Sequence, residues 1–193
     1  MDNILYYYWL STVEGLGSKK IENIIQYFGS PQNAYYAAPE LYRHIDGISF
    51  KIADRIIERR EKSKLKSELA SIYKKGIKVI SFDDEMYPKR LKEIYDPPYI
   101  LYVKGTIKNN VKNIGIVGAR NCTPYGRMVS RTISKELARY DIGIISGMAR
   151  GIDTEAHKGA LDCLGYTCAV LGCGLDIAYP PENNKLMQKI EDS

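Results

Sequence analysis

Residues 113–193 constrain the fold of this chain more than any other stretch. Three short apolar runs, residues 114–118, 142–146 and 167–171, alternate there with helix-length segments at 126–140, 153–164 and 182–190. The runs are apolar along their length rather than at every second position, the pattern of strands buried on both faces. Such strands separated by helices build a parallel sheet. An α/β fold with a Rossmann-like, doubly wound layout is therefore expected over residues 76–193, with ligands bound beyond the carboxyl ends of the strands.

Residues 1–75 read as helices. The first covers 4–12. Ser18 is placed to cap a second, which carries Ile21, Ile24, Ile25 and Phe28 at helical spacing. Gly29-Ser30-Pro31 ends it and starts another, with proline in the first turn. Ser49 precedes a further amphipathic helix that is expected to run on to Lys75, with Gly76 as its C-terminal cap. Two turns, Gly15-Leu16-Gly17 before Ser18-Lys19-Lys20 and Gly47-Ile48-Ser49 before Phe50-Lys51, resemble the helix-hairpin-helix element. There, a glycine turn presents backbone N–H groups to a DNA phosphate. Plain helix connectors look the same. The expectation is a small helical domain, SAM/helix-hairpin-helix-like, at residues 1–75. Between the two domains, 77–81 and 99–103 read as strands, with a short helix over 89–94.

Composition narrows the class. The chain is 45% hydrophobic and 26% charged, enough apolar material for a core. No run reaches the ~18–20 apolar residues of a membrane span, and the start lacks the pattern of a secretory signal. A cytoplasmic protein with no membrane partner is the expectation. Net charge is +5, split as +1, +3 and +1 over residues 1–65, 66–110 and 111–193. A nucleic-acid partner would thus need positive charge focused in a local hollow. Cys122, Cys163, Cys168 and Cys173 lack zinc-site spacing and read as free thiols. The 16 tyrosines against 3 phenylalanines read mostly as half-buried packing residues.

Three strand ends carry unusual sequence: Val117-Gly118-Ala119-Arg120, Ser146-Gly147-Met148-Ala149-Arg150-Gly151-Ile152-Asp153, and Leu171-Gly172-Cys173-Gly174-Leu175-Asp176. Glycine at a strand end lets backbone turn sharply and approach a ligand. A helix start beyond it points free N–H groups at the same space. Arg120 and Arg150 would project from adjacent strand ends and fork onto phosphate oxygens. Gly118, Arg120, Ser146, Gly147, Arg150 and Gly151 are therefore the candidate DNA-binding residues. Tight turns alone would also explain the glycines; the two arginines in register with them favour phosphate. Neither a dinucleotide fingerprint nor a Walker A motif is present. Asp153 sits where a helix N-cap belongs, and His157, four residues on, reads as packing rather than catalysis. No catalytic residue, metal ligand or cofactor is expected.

Together, Ile116-Val117-Gly118-Ala119-Arg120, Ser146 through Asp153 with Ala156-His157, Val170 through Asp176, and Tyr179-Pro180-Pro181-Glu182-Asn183 resemble the DNA-processing protein A family (DprA, also called Smf). So does Tyr87-Pro88-x-x-Leu91 with Pro97-Pro98-x-x-Leu101-Tyr102-x-x-Gly105. The resemblance is dense over residues ~75–193 and loose before them. It implies a bacterial protein that binds single-stranded DNA, forms a homodimer and helps load a RecA-type recombinase during natural transformation, and the leading expectation is a binding protein rather than an enzyme. It also implies that Arg120 and Arg150 line the DNA pocket. Family members continue past the Tyr-Pro-x-Glu-Asn block through further strands and the dimerisation region, so this sequence is expected to hold only the first half of the sheet. Two rival readings stay open. One is a nucleotide-processing hydrolase of the lysine-decarboxylase-like group, whose Pro-Gly-Gly-x-Gly-Thr signature is absent here. The other is an inactive fragment folded only in its helical N-terminus.

Overall fold

A computed structural model describes residues 2–192. The chain divides into two compact units, one ending at Val103 and one beginning at Lys104.

The first unit is built around helix α1 (Asp2–Ser11). Leu5, Tyr6, Tyr7, Tyr8, Trp9 and Leu10 are all buried, so this helix is apolar on every side and sits inside the unit. Around it lie α2 (Ser18–Phe28), α3 (Pro31–Tyr36), α4 (Phe50–Glu58) and α5 (Lys62–Lys74). The Trp9 indole donates to the Ile56 carbonyl at 3.1 Å. Arg60 lies over the rings of Trp9 and Tyr42 and donates to the carbonyls of Ala37 and Ala34 at 2.7 and 2.9 Å. Buried Tyr6, Tyr7, Tyr8, Tyr35, Tyr42, Tyr87 and Tyr99 show that much of the tyrosine is packing.

The local signals at Gly29-Ser30-Pro31 act as expected. Gly29 takes a left-handed conformation at φ 78°, Ser30 accepts from the Asn33 amide, and Pro31 opens α3. Ser49 caps α4 through the Ile52 amide. Ser18 does not cap: α2 begins on it, and Gly17 is the capping residue. The single helix expected from Ser49 to Lys75 is two. The chain breaks between Glu58 and Lys62, where Arg59 forks onto both carboxylate oxygens of Glu68 and donates to Thr12. No glycine or proline marks that break.

Strands β1 (Lys78–Ser81) and β2 (Ile100–Val103) pair antiparallel, with Lys78 opposite Val103. Val79, Tyr99 and Ile100 belong to the same apolar cluster as α1. The expected division after residue 75 therefore falls inside the first unit.

The second unit is a three-stranded parallel sheet in the order β3 (Lys112–Gly115), β4 (Ile142–Ser146), β5 (Thr167–Ala169). The expected α/β fold with a partial, Rossmann-like sheet is present in this unit. Residues 104–193 form a compact unit of their own, so folding is not confined to the N-terminal helices. The crossover helices are α6 (Pro124–Arg139) and α7 (Ile152–Leu161). Both pack on the sheet face that carries Ile144, through Ala138, Ala156 and Ala160. A strand order advancing in one direction puts successive right-handed crossovers on one face. These two helices therefore do not supply the two-faced covering expected from the apolar runs. Small residues let them approach closely: Ser130, Ser134 and Ala138 on α6, Ala156, Gly159 and Ala160 on α7. A final helix, α8 (Asn184–Glu191), follows a 3-10 turn at Pro181–Asn183. Among the described residues no helix is long and apolar enough to cross a membrane.

Candidate nucleic-acid interface

The ends of β3 and β4 are bound into one structure by Asp153. Its carboxylate accepts the amides of Gly118 at 3.3 Å, Gly147 at 3.2 Å and Ala149 at 3.3 Å. Asp153 is not the N-cap that the sequence suggests. Gly151 holds that position, and Asp153 is a buried residue of the first helical turn, reaching back to both loops. The amides of Gly118 and Gly147 are therefore taken by this carboxylate.

Two further side chains fix the loop after β4. Thr154 donates to the Ala149 carbonyl at 2.7 Å. Asn183 donates to the Met148 carbonyl at 2.9 Å and to Thr154 Oγ1 at 2.8 Å, and it is buried. Ser146 is buried too, with its hydroxyl on the Ile116 carbonyl at 2.6 Å. Its hydroxyl ties strand to strand rather than facing solvent. Gly151 closes the arrangement at φ +78°. A Cβ there would lie 2.2 Å from the Ala119 carbonyl oxygen and 2.5 Å from that of Arg120. Only glycine lets the two loops pass this closely.

Arg120 and Arg150 line one open cleft of about 1180 Å³. Arg127, Lys158, Lys185 and Lys189 line it as well, contributed by α6, α7 and α8. Arg150 forks onto Glu182, with Nε donating to one carboxylate oxygen at 2.5 Å and Nη2 to the other at 3.2 Å. That guanidinium holds the Glu182 carboxyl below its ordinary range. Arg131 makes a similar fork onto Asp162 at 2.6 and 2.9 Å and lowers it in the same way. Arg120, Arg127, Lys185 and Lys189 have no ion-pair partner among the described residues. The cleft thus presents a cationic wall with part of its charge already neutralised. Tyr179, more than half exposed, stands beside Arg150.

The third strand end does not join this cleft. Leu175 and Asp176 line a smaller hollow with Lys104, Gln188 and Glu191. His157 is fully buried. Its Nδ1 meets Thr167 Oγ1 at 2.7 Å, and the Thr167 hydroxyl donates onward to the Ile144 carbonyl. Burial pushes its pKa down to about 4, against a weaker upward pull from Asp153. All four cysteines are free. Among the described residues no three His, Cys, Asp or Glu side chains gather as a metal site.

In comparisons with known proteins, the family model for DNA recombination-mediator protein A matches residues 78–193. The chain is 36% identical over 190 residues to Protein Smf of Synechocystis sp., covering 95% of this chain and 48% of that protein. It is 41% identical over 125 residues to DNA processing protein DprA of Bacillus subtilis, covering 64% and 42%. The structure of DprA from Streptococcus pneumoniae superposes on all of this chain and 65% of its own, with a TM-score of 0.78 at 27% identity. DNA processing protein A from Helicobacter pylori, solved to explain its single-stranded DNA binding mode, matches 60% of this chain and 52% of its own, with a TM-score of 0.53 at 33% identity. The chain spans about half the length of the curated relatives it matches.

Proposed function

The chain belongs to the DNA recombination-mediator protein A family, and from that premise we propose that it binds single-stranded DNA, by its phosphates and without regard to sequence, in the cleft between Arg120 and Arg150. It does so as a binding protein rather than an enzyme. Gly118, Ser146, Gly147 and Gly151 serve the site by fixing the two loops, and the arginines make the contact. In the cytoplasm the bound strand is handed to a RecA-type recombinase during DNA uptake. The cleft residues all lie in the second unit, which begins at Lys104 and is the DNA-binding part.

One observation carries this reading: two arginines from the ends of adjacent parallel strands line a single cleft in which Arg127, Lys185 and Lys189 have no ion-pair partner among the described residues, while Arg131 and Lys158 are paired with acidic neighbours. Guanidinium groups fork onto phosphate oxygens, and phosphate contacts bring no sequence preference. The Tyr179 ring, exposed beside Arg150, offers a face for a base. The relative from H. pylori is described as binding single-stranded DNA, which supports the same ligand here.

The test is an anisotropy titration of labelled oligo-dT with the full chain over a range of salt. The expected result is saturable binding whose logarithm falls linearly with log salt, at about 0.7 per phosphate neutralised. Absence of binding at low salt, or binding insensitive to salt, would contradict it.

A further inference from the structure

We propose that Glu182 is a specificity-determining residue of this cleft, a resident carboxylate that a DNA phosphate must displace from Arg150. The inference rests on the single-strand reading above and goes beyond it. Glu182 takes the guanidinium by Nε and Nη2 with two oxygens, at 2.5 and 3.2 Å. A phosphodiester uses the same fork, with two oxygens and one negative charge. A phosphate and Glu182 therefore compete for one seat.

The placement of Glu182 is built into the fold. It sits in the 3-10 turn at Pro181–Asn183. Its neighbour Asn183 is buried and pins that turn to the Met148 carbonyl and the Thr154 hydroxyl. Met148 precedes Arg150 in the same loop, and Thr154 opens the helix beyond it. The two backbone segments that carry Glu182 and Arg150 are thus tied together at their bases, and the side chains meet at the cleft.

The pair is solvent-open, with side-chain exposures of 53% for Arg150 and 55% for Glu182. An exposed ion pair is weak enough for a phosphate to break. A lone anion would exchange one such contact for another and gain little. A chain of phosphates exchanges that contact and also engages Arg120, Arg127, Lys185 and Lys189, which have no ion-pair partner among the described residues to give up. Glu182 thereby turns away small anions and admits a polyphosphate strand.

The experiment uses the full chain, with Glu182→Gln, Glu182→Ala and Arg120→Ala each compared with the parent. Affinity for oligo-dT is measured across salt, and inorganic phosphate is titrated as a competitor. Both Glu182 variants are expected to bind oligo-dT roughly two- to fivefold tighter at equal salt, the range set by an exposed ion pair. Their salt dependence should steepen by up to about 0.7 in slope, because a freed carboxylate no longer recaptures a cation when the strand binds. Inorganic phosphate should compete at lower concentration than against the parent. Weaker binding by both variants would make Glu182 a support for Arg150 and overturn the proposal. Unchanged affinity and slope would overturn it equally. Arg120→Ala separates the two levels: if it binds like the parent, the cleft is not the DNA site and both readings fall. If it weakens binding while the Glu182 variants do not tighten it, only the displacement proposal falls.

Discussion

The carboxylate of Asp153 receives the amide of Gly118 across 35 residues of chain, at 3.3 Å. The same side chain receives Gly147 and Ala149, so one buried group sets the spacing of the two loops that carry Arg120 and Arg150. A cleft lined by cations is useful only if its walls keep their positions, and this carboxylate ties the two loops that carry Arg120 and Arg150.

Asp153→Ala should therefore destabilise the second unit by about 2–4 kcal/mol, because three loop amides lose a buried acceptor. Urea unfolding checks this, and oligo-dT affinity should fall with it. Asp153→Asn keeps the volume and one acceptor oxygen, so about half the loss is expected. A change within ~0.5 kcal/mol for Asp153→Ala would remove this role.

Gly151→Ala should cost about 2 kcal/mol or more, since the new Cβ meets the Ala119 carbonyl at 2.2 Å in a left-handed backbone. Arg120 must shift to relieve it, so DNA binding should weaken as well. Gly172→Ala is the control. Its Cβ would meet nothing within 4 Å, and the change should be nearly neutral. Equal unfolding midpoints for the two variants would contradict the close approach.

His157 predicts a pH dependence. Its pKa falls from 6.5 to about 4 on burial. The Thr167 hydroxyl donates to Ile144, so it accepts from the His157 Nδ1–H, and among the described residues the buried Nε2 has no partner for a proton. Between those two values the unfolded chain binds more protons than the folded one. The stabilisation is complete above pH 6.5 and is lost as pH falls toward 4, by roughly 3 kcal/mol at most. His157→Gln, whose amide can still donate to Thr167, should flatten this decline. The same acid slope in both proteins would contradict it.

In the first unit, Arg60→Ala removes two donors to the Ala34 and Ala37 carbonyls and the cation above Trp9 and Tyr42. A loss of about 2–3 kcal/mol is expected. Trp9 is the sole tryptophan and is fully buried, so its emission reports this unit's unfolding. Arg60→Ala should move the midpoint seen by Trp9, and an unmoved midpoint would contradict the role assigned to Arg60.

Features with a local cause were legible in the sequence. Gly29-Ser30-Pro31 encodes a helix end and a helix start within neighbouring residues, and the apolar runs encode the strands. Arg120 and Arg150 follow strands expected to be adjacent, which is why their meeting at one cleft could be anticipated. The break after Glu58 carries no local signal: no glycine or proline stands there, and the Arg59–Glu68 contact found at the break spans two helices. Asp153 is another residue whose role is set by tertiary partners. Its place beside a helix start mimics a cap, while its partners lie at Gly118, Gly147 and Ala149. In the sequence, Glu182 and Asn183 stand out only as part of the Tyr179-Pro180-Pro181-Glu182-Asn183 motif. Two adjacent polar residues after a double proline were a signal that this turn is anchored, but their partners, Arg150, Met148 and Thr154, lie about 30 residues earlier. The antiparallel β1–β2 pair packs on α1 by apolar contact across the chain, and no change of composition at residue 75 forecasts that.

The central claim is that Arg120 and Arg150 act together on one strand of DNA. The most direct measurement is oligo-dT affinity of the double variant Arg120→Ala, Arg150→Ala beside the parent, at several salt concentrations. Loss of at least about tenfold at low salt, with a salt slope shallower by roughly 0.7 per phosphate contact removed, is predicted. Binding as tight as the parent's with an unchanged slope would contradict it.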